Sequence, residues 1–273
     1  MTPTLSKPDL AARPAAPVDV HFHVFGAGVA VPGARYVPGY AATLAAWEAA
    51  AVACGIRHGV LVQPSFLGTD NRLLLRTLAQ RRDTLRGIAV VAPTTDRATL
   101  AALDAAGVRG IRLNLAGAAQ ALEAWSTASP LWDLLGEFGW HVELHTDTGA
   151  LPGVLARLPA HLPLVVDHLA RPESASVGDA TFAALERRAA RARVHVTLSG
   201  AYRQGGRDAA VLARRWLATL GPGALLWGSD WPCTNHEAQA DYARLKAEAD
   251  DWVGAAAAAQ ARGTNAQQVY WQR

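Results

Sequence analysis

Lysine is almost missing from this chain. It stands only at Lys7 and Lys246, so nearly all of the 26 basic side chains are arginines, set against 23 carboxylates for a net charge of +3. A balance this even excludes a nucleic-acid-binding protein unless the charge is gathered on one face. It is not gathered: Arg81/Arg82, Arg187/Arg188 and Arg214/Arg215 are scattered and read as solvated helix faces. Cysteine is as scarce, and Cys54 and Cys233 do not make a disulfide framework. No apolar run reaches the ~18 residues of a membrane-spanning helix. The opening stretch, with Pro3, Pro8, Pro14 and Pro17, lacks the apolar heart of a secretory leader. These absences point to a soluble cytoplasmic protein with free thiols and with neither nucleic-acid nor membrane partners. Nothing in the composition speaks to oligomeric state.

What is present is apolar. Hydrophobic residues make up 51% of the 273 and charged residues only 18%, enough to bury a large core and too much for low-complexity disorder. Short β-branched runs alternate with alanine- and leucine-rich stretches. Strands are expected at Val18–Val24, His58–Gln63, Gly87–Ala92, Val108–Leu115, Trp140–His145, Pro163–His168, Val194–Ser199 and Ala224–Asp230. Each gap has room for a crossover helix. Thr69-Asp70 opens one at Asn71–Arg82, and Thr95-Asp96 opens another at Arg97–Ala106, which ends at Gly107. Eight such units are the signature of an α/β protein folded as a single (β/α)8 TIM barrel, for which ~250 residues is a typical length. The barrel is expected over 18–273, behind a proline- and alanine-rich tail at 1–17. Asp250–Arg273 reads as one or two further helices packed on the outside. The doubly wound alternative lacks its glycine-rich turn after the first strand.

In such a barrel the reacting groups stand at the carboxyl ends of the strands. Alternation puts His21 and His23 on one face of the first strand and Phe22 on the other. The fifth strand ends in His145, the sixth in Asp167-His168 and the eighth in Asp230. Any one of these is an ordinary packed or capping residue, but four imidazoles and a carboxylate at the same barrel end make a shared site. Two imidazoles two apart on a strand can hold one metal, with a third imidazole and a carboxylate completing the shell.

His21-x-His23, His145, His168 and Asp230, in that order, resemble the amidohydrolase superfamily. More narrowly, the chain is similar to the branch of 2-pyrone-4,6-dicarboxylate lactonase and the sugar-lactone hydrolases. Supporting stretches include Asp19-Val-His-Phe-His-Val-Phe25, Val166-Asp-His-Leu-Ala-Arg-Pro172 and Leu226-Trp-Gly-Ser-Asp-Trp-Pro232. The resemblance implies a hydrolase acting on the carboxylic ester of a small lactone, either a sugar lactone or a pyrone dicarboxylate. Asp230 is expected as the general base that activates water, with His21, His23 and His168 polarising the carbonyl. His21, His23, His145 and Asp230 are the candidate ligands of one divalent metal, zinc by preference, and a metal-independent reaction stays open. The lysine that bridges two metals elsewhere in the superfamily has no counterpart, which argues against a second ion. Ser65, Arg112, Asn114, Tyr202, Arg203 and Arg171 are the candidate substrate contacts, with Arg112 also a potential partner of Glu143. Tyr36, Tyr40, Phe66 and Trp231 are expected to wall the pocket, whereas Trp47, Trp125, Trp132 and Trp216 are expected to pack. The branch's arginine beyond the fourth strand is replaced by Leu115-Ala-Gly-Ala-Ala119, which favours neutral or singly charged lactones over a dicarboxylate. A metal-dependent decarboxylase of a carboxylated ring, and a barrel that only binds a small molecule, are the rival readings.

Overall fold

The computed structural model describes residues 15–272; most of the expected tail, 1–14, lies outside them. Eight parallel strands pair in chain order: β1 (Val18–Phe22), β2 (His58–Val62), β3 (Leu85–Ala89), β4 (Val108–Asn114), β5 (His141–His145), β6 (Leu164–Val166), β7 (Val194–Leu198) and β8 (Leu225–Trp227). Between β8 and β1 the ring is drawn together by a parallel bridge, Phe22 to Trp231. There His23 N donates to Trp231 O at 2.9 Å and Asp230 N to His21 O at 2.8 Å. Each strand is followed by a helix: α1 (Leu44–Ala53), α2 (Arg72–Gln80), α3 (Arg97–Ala105), α4 (Ser129–Glu137), α5 (Leu151–Leu155), α6 (Ala180–Ala189), α7 (Ala209–Leu220) and α8 (Tyr242–Val253). The result is a single (β/α)8 barrel.

Local chemistry starts and stops these helices. Asp96 accepts from Thr99 N at 2.9 Å to cap α3, and Asp208 accepts from Ala210 N at 2.8 Å to cap α7, each satisfying an orphan donor of the first turn. Past α3, Gly107 takes φ +101°, a left-handed conformation that a side chain would resist.

Strand alternation then sorts the core. Phe22, Leu61, Ile111, Val142, Leu144, Val166 and Val196 face out against the helices. Val18, Val20, Val60, Val62, Ile88, Val165 and Leu226 fill the barrel interior. On β1 the pairing slips between Asp19 and Phe22, a bulge-like irregularity that lets Val20 and His21 both belong to the interior. The outward Asp19 is fully buried, accepting from Ser229 Oγ (2.6 Å), Tyr242 OH (2.9 Å) and Trp47 Nε1 (3.0 Å). Trp47, Trp132 and Trp216 are buried and Trp125 stacks on Trp132, all in packing roles as expected.

Two expectations need correction. The C-terminal segment does not simply coat the outside. After α8 come α9 (Ala255–Gln260), a π-helical stretch and α10 (Ala266–Tyr270), and Ala266 and Tyr270 join the interior cluster as a plug at the amino ends of the strands. Several strands also end sooner than their apolar runs suggest. β6 stops at Val166 and β8 at Trp227, because the polar residues beyond leave the sheet to face the site. The thiols of Cys54 and Cys233 are free.

Candidate active site

The carboxyl ends of β1, β5, β6 and β8 bring His21, His23, His145, His168 and Asp230 together, all at most 8% exposed. Asp230 follows β8 with φ +55°, an uncommon conformation for a non-glycine residue and one that gathers at functional sites. Its two oxygens face different ways. Oδ2 accepts from Arg203 Nε at 2.6 Å and from Tyr202 OH at 2.8 Å. Oδ1 lies 3.7 Å from His21 Nε2 and 3.6 Å from His23 Nε2. Burial alone pushes Asp230 up, but Arg203, then His168, and a hydrogen bond from His23 more than reverse this and hold it well below the usual carboxylate range. It is an ionised carboxylate, fixed on one oxygen and open on the other.

The two imidazoles of β1 are oriented from behind. His23 Nδ1 meets Val62 O at 2.8 Å, and His21 Nδ1 lies 3.2 Å from Asp167 Oδ1 and 3.5 Å from Glu143 Oε1. With protons on both Nδ1 atoms, the two Nε2 atoms face one another at 3.3 Å. Two lone pairs at that distance call for a proton or a cation between them. The proton is available: burial lowers His21, yet Asp167 and Glu143 together raise it above its ordinary value, whereas burial keeps His23 low. A cation also fits. His21 Nε2, His23 Nε2 and Asp230 Oδ1 are mutually 3.3, 3.7 and 3.6 Å apart, close to the ~3.4 Å edge of a tetrahedron with ~2.1 Å bonds. Partners on Nδ1 are the usual device for aiming histidine ligands.

His168 sits across from them, its Nε2 3.8 Å from Asp230 Oδ2 and its Nδ1 3.0 Å from Ser199 Oγ. With His21 and Asp230 it forms a second set of potential ligand atoms within 4.8 Å of one another. His145 groups instead with His168 and Asp167, its ring 4.8 Å from that of His168. His168 opens a left-handed turn in which His168, Leu169, Ala170 and Arg171 all have φ between 44° and 58°. Left-handed backbone costs ~1–2 kcal/mol per non-glycine residue. The turn is held by Thr197 Oγ1, accepting from His168 N at 2.9 Å, by Gln204 Nε2 donating to His168 O at 2.9 Å, and by Trp216 Nε1 donating to Leu169 O at 2.8 Å. Gly200, φ +63°, packs against the ring: a Cβ there would come within 2.8 Å of His168 Nδ1.

Below the site lies a buried charge layer. Arg112 Nη2 donates to Asp167 Oδ2 at 2.9 Å, and its Nε lies 3.4 Å from Glu143 Oε1. Arg112 therefore has two carboxylate partners rather than Glu143 alone, and the stronger contact reaches β6, past its sheet neighbour. Burial and the nearby Asp167 push Glu143 up, while His21 and Arg112 pull Asp167 down despite its own burial.

A cavity of about 90 Å³ above the histidines is lined by His23, Ser65, Arg112, Asn114, His145 and Asp230 among others. Asn114 Oδ1 and both ring nitrogens of His145 are buried there without a hydrogen-bond partner, groups that a ligand would satisfy. The cavity opens through Tyr36, Ser65, Phe66 and Asn235 into a vestibule of about 470 Å³. Tyr36 and Phe66 line this mouth. Tyr40 and Trp231 lie one layer behind, packed on the small cluster of Phe25, Ala42, Phe66 and Leu67. Arg171 donates to Thr146 O at 3.0 Å, tying a loop. Tyr202 stands behind Asp230.

Two features escaped the sequence. Arg35, in the loop after β1, lines the vestibule and donates to Ala116 O, in the stretch that lacks an arginine of its own. Tyr36 and Tyr40 hydroxyls both donate to Glu237 Oε1 at 3.0 Å, as does Asn235 N, also at 3.0 Å, clasping the loops after β1 and β8. The loop's aromatic and basic density was the one available signal.

The amidohydrolase family model matches residues 18–271. The chain is 32% identical over 253 residues to the 2-pyrone-4,6-dicarboxylate hydrolase of Comamonas testosteroni, covering 84% of this chain and 81% of that protein. It is 30% identical over 256 residues to a 4-sulfomuconolactone hydrolase of Rhizobium radiobacter, covering 90% and 84%. A crystal structure from Pseudomonas putida, to which 2-pyrone-4,6-dicarboxylic acid hydrolysis is provisionally ascribed, superposes with a TM-score of 0.82 at 36% identity over 94% of this chain and 97% of its own. On the barrel, the histidine set and these matches, the chain belongs to the amidohydrolase family.

Proposed function

We propose that this protein hydrolyses a small lactone bearing one anionic substituent. The observation that carries the reading is the asymmetry of Asp230: Oδ2 is pinned by Arg203 and Tyr202, leaving Oδ1 turned to the two β1 imidazoles at the floor of the cavity. Oδ1 takes a proton from the attacking water as its oxygen bonds to the lactone carbonyl carbon. That proton then passes to the ring oxygen when the ester C–O bond breaks, giving a hydroxy acid. The proton held between His21 Nε2 and His23 Nε2, and His168 as an N–H donor, stabilise charge developing on the carbonyl oxygen. One divalent ion at His21, His23 and Asp230, zinc by its preference for nitrogen and oxygen ligands, would add Lewis-acid polarisation when bound. Both relatives above carry names of lactone hydrolases, which supports the reaction class.

The charge inventory supports the substrate. Arg112 is neutralised by Asp167 and Glu143, and Arg203 by Asp230. Among the described residues Arg35 has no carboxylate partner, so the vestibule offers one uncompensated cation. A dicarboxylate in a water-poor pocket needs two. The test is a panel of neutral, singly and doubly anionic lactones assayed by pH indicator, with and without chelator. Acid release on singly charged lactones, without carbon dioxide, is the expected result. Carbon dioxide as product would replace the hydrolase reading with a decarboxylase.

A further inference from the structure

The opposite end of the barrel carries a second cluster of nitrogen donors that lactone hydrolysis does not use. A cavity of about 40 Å³ between the amino ends of β4 to β7 and the C-terminal segment is lined by His141, His195, Arg193, Arg109, Gln268 and Gln272, together with apolar wall and backbone. Among the described residues no carboxylate lines it. At ~10–15 Å³ of such space per water, it has room for about three waters, roughly the footprint of one small oxyanion. His141 is 5% exposed, and its Nε2 is buried without a hydrogen-bond partner. The ring is fixed in that position. It stands edge-on to Tyr270 at 5.3 Å, over Gly110, where a Cβ would come within 3.1 Å of Nε2. Arg109 is committed to Asp104 and to backbone carbonyls, so the exposed Arg193 supplies the mobile charge at the rim.

Positive charge outweighs negative at His141, where Asp167 acts more weakly than His195 and Arg193. Burial, then His195 and Arg193, push His141 down to about 3. Burial and Arg193 push His195 down to about 4. Both rings are therefore neutral near pH 7, and a neutral imidazole carries one N–H donor. Backbone carbonyls cannot balance that set, since they accept bonds without carrying charge. Carboxylates and phosphates are the ligands that do both.

We propose that this cavity is a binding site for a small oxyanion, held by Arg193 with the His141 and His195 ring N–H groups and the glutamine amides. Its occupation stabilises the closed lower end of the barrel, because the ligand bridges β5, β7 and the segment that carries the Tyr270 plug.

The experiment is thermal unfolding in an amine buffer with inorganic phosphate, acetate or chloride added at matched ionic strength. At ten times Kd a bound anion should raise Tm by about 3 °C. The expected result is a saturable rise with phosphate or acetate, whichever fits, and none with chloride. Arg193→Met and, separately, His195→Phe should abolish the rise while kcat/KM stays at the wild-type value. Arg35→Met and Asp230→Asn, at the other end, should retain it. No rise with either oxyanion, or a rise that persists in Arg193→Met, overturns the proposal. So does a rise lost in Arg35→Met, which would place the anion in the vestibule.

Discussion

Strand β5 carries a histidine at each end of the barrel, His145 at the carboxyl end and His141 at the amino end, and their neighbours differ. Around His145 the other imidazoles are interleaved with carboxylates, with Asp167 in one ligand-like group and Asp230 in the adjoining one. The described side chains lining the cavity beside His141 are histidines, arginines, glutamines and apolar groups, with no carboxylate among them. Carboxylates are what proton transfer or a cation at the upper end would need; with none among the described lining residues, the lower end is suited to the anion proposed for it. The same residue type on one strand thus takes its chemistry from what the neighbouring strands deliver, and barrels of this class do their chemistry at the carboxyl end.

The sharpest way to break this comparison is to remove the carboxylate that sets the upper end apart. Asp230→Asn keeps the shape and loses the proton acceptor, so kcat should fall ~10²–10⁴-fold with the far-UV spectrum unchanged, while His195→Phe leaves kcat alone. Near wild-type turnover in the first variant would sink the assignment of the base. Gly200→Ala probes positioning. A methyl 2.8 Å from His168 Nδ1 at φ +63° must displace the ring, and a misplacement of ~1 Å is worth ~10²-fold in rate. Full activity with His168 unmoved in a crystal structure would show that the turn tolerates a side chain.

Smaller effects sharpen the contrast. Arg35→Met should raise KM about 10-fold for singly anionic lactones, the scale of one charge-assisted hydrogen bond, and leave neutral lactones untouched. An equal effect on both would mean that Arg35 only braces the loop. The last prediction concerns pH. Arg203 is the strongest influence holding Asp230 below its ordinary value, against burial. A base with a depressed value stays ionised as pH falls, so the acid limb of kcat/KM should lie below the usual carboxylate range. In Arg203→Met burial prevails, the limb moves to higher pH, and activity in the mildly acidic range is lost first. An unmoved limb would assign it to another group.

How far the residues themselves disclosed this arrangement depended on sequence distance. Period-two alternation and strand ends are local, so the eight strands and the positions of His21, His23, His145, His168 and Asp230 were legible. Arg112 was readable as needing a partner, but sheet adjacency points to Glu143, its register mate on β5. The stronger bond to Asp167 depends on the closed curvature of the barrel. The Tyr36–Glu237 clasp spans 201 residues, and the Arg35 contact with Ala116 joins loops 81 residues apart. No local pattern encodes either. The cavity at the amino face was hidden for the same reason: Asp250–Arg273 reads as helices packed on the outside until Tyr270 is seen inside the barrel.

The junction of β1 with β8 has a consequence for how the protein comes to be active. Asp19 and Ser229 are 210 residues apart, so their bond belongs to the most slowly formed class of contact, one that waits until nearly the whole chain has been synthesised. The same junction delivers His21 and His23 from one side and Asp230 from the other. A chain that ends just before β8 has seven strands and the four imidazoles, and lacks Asp230. Hydrolysis should therefore appear in step with ring closure during refolding, and turnover becomes a clock for the final folding event.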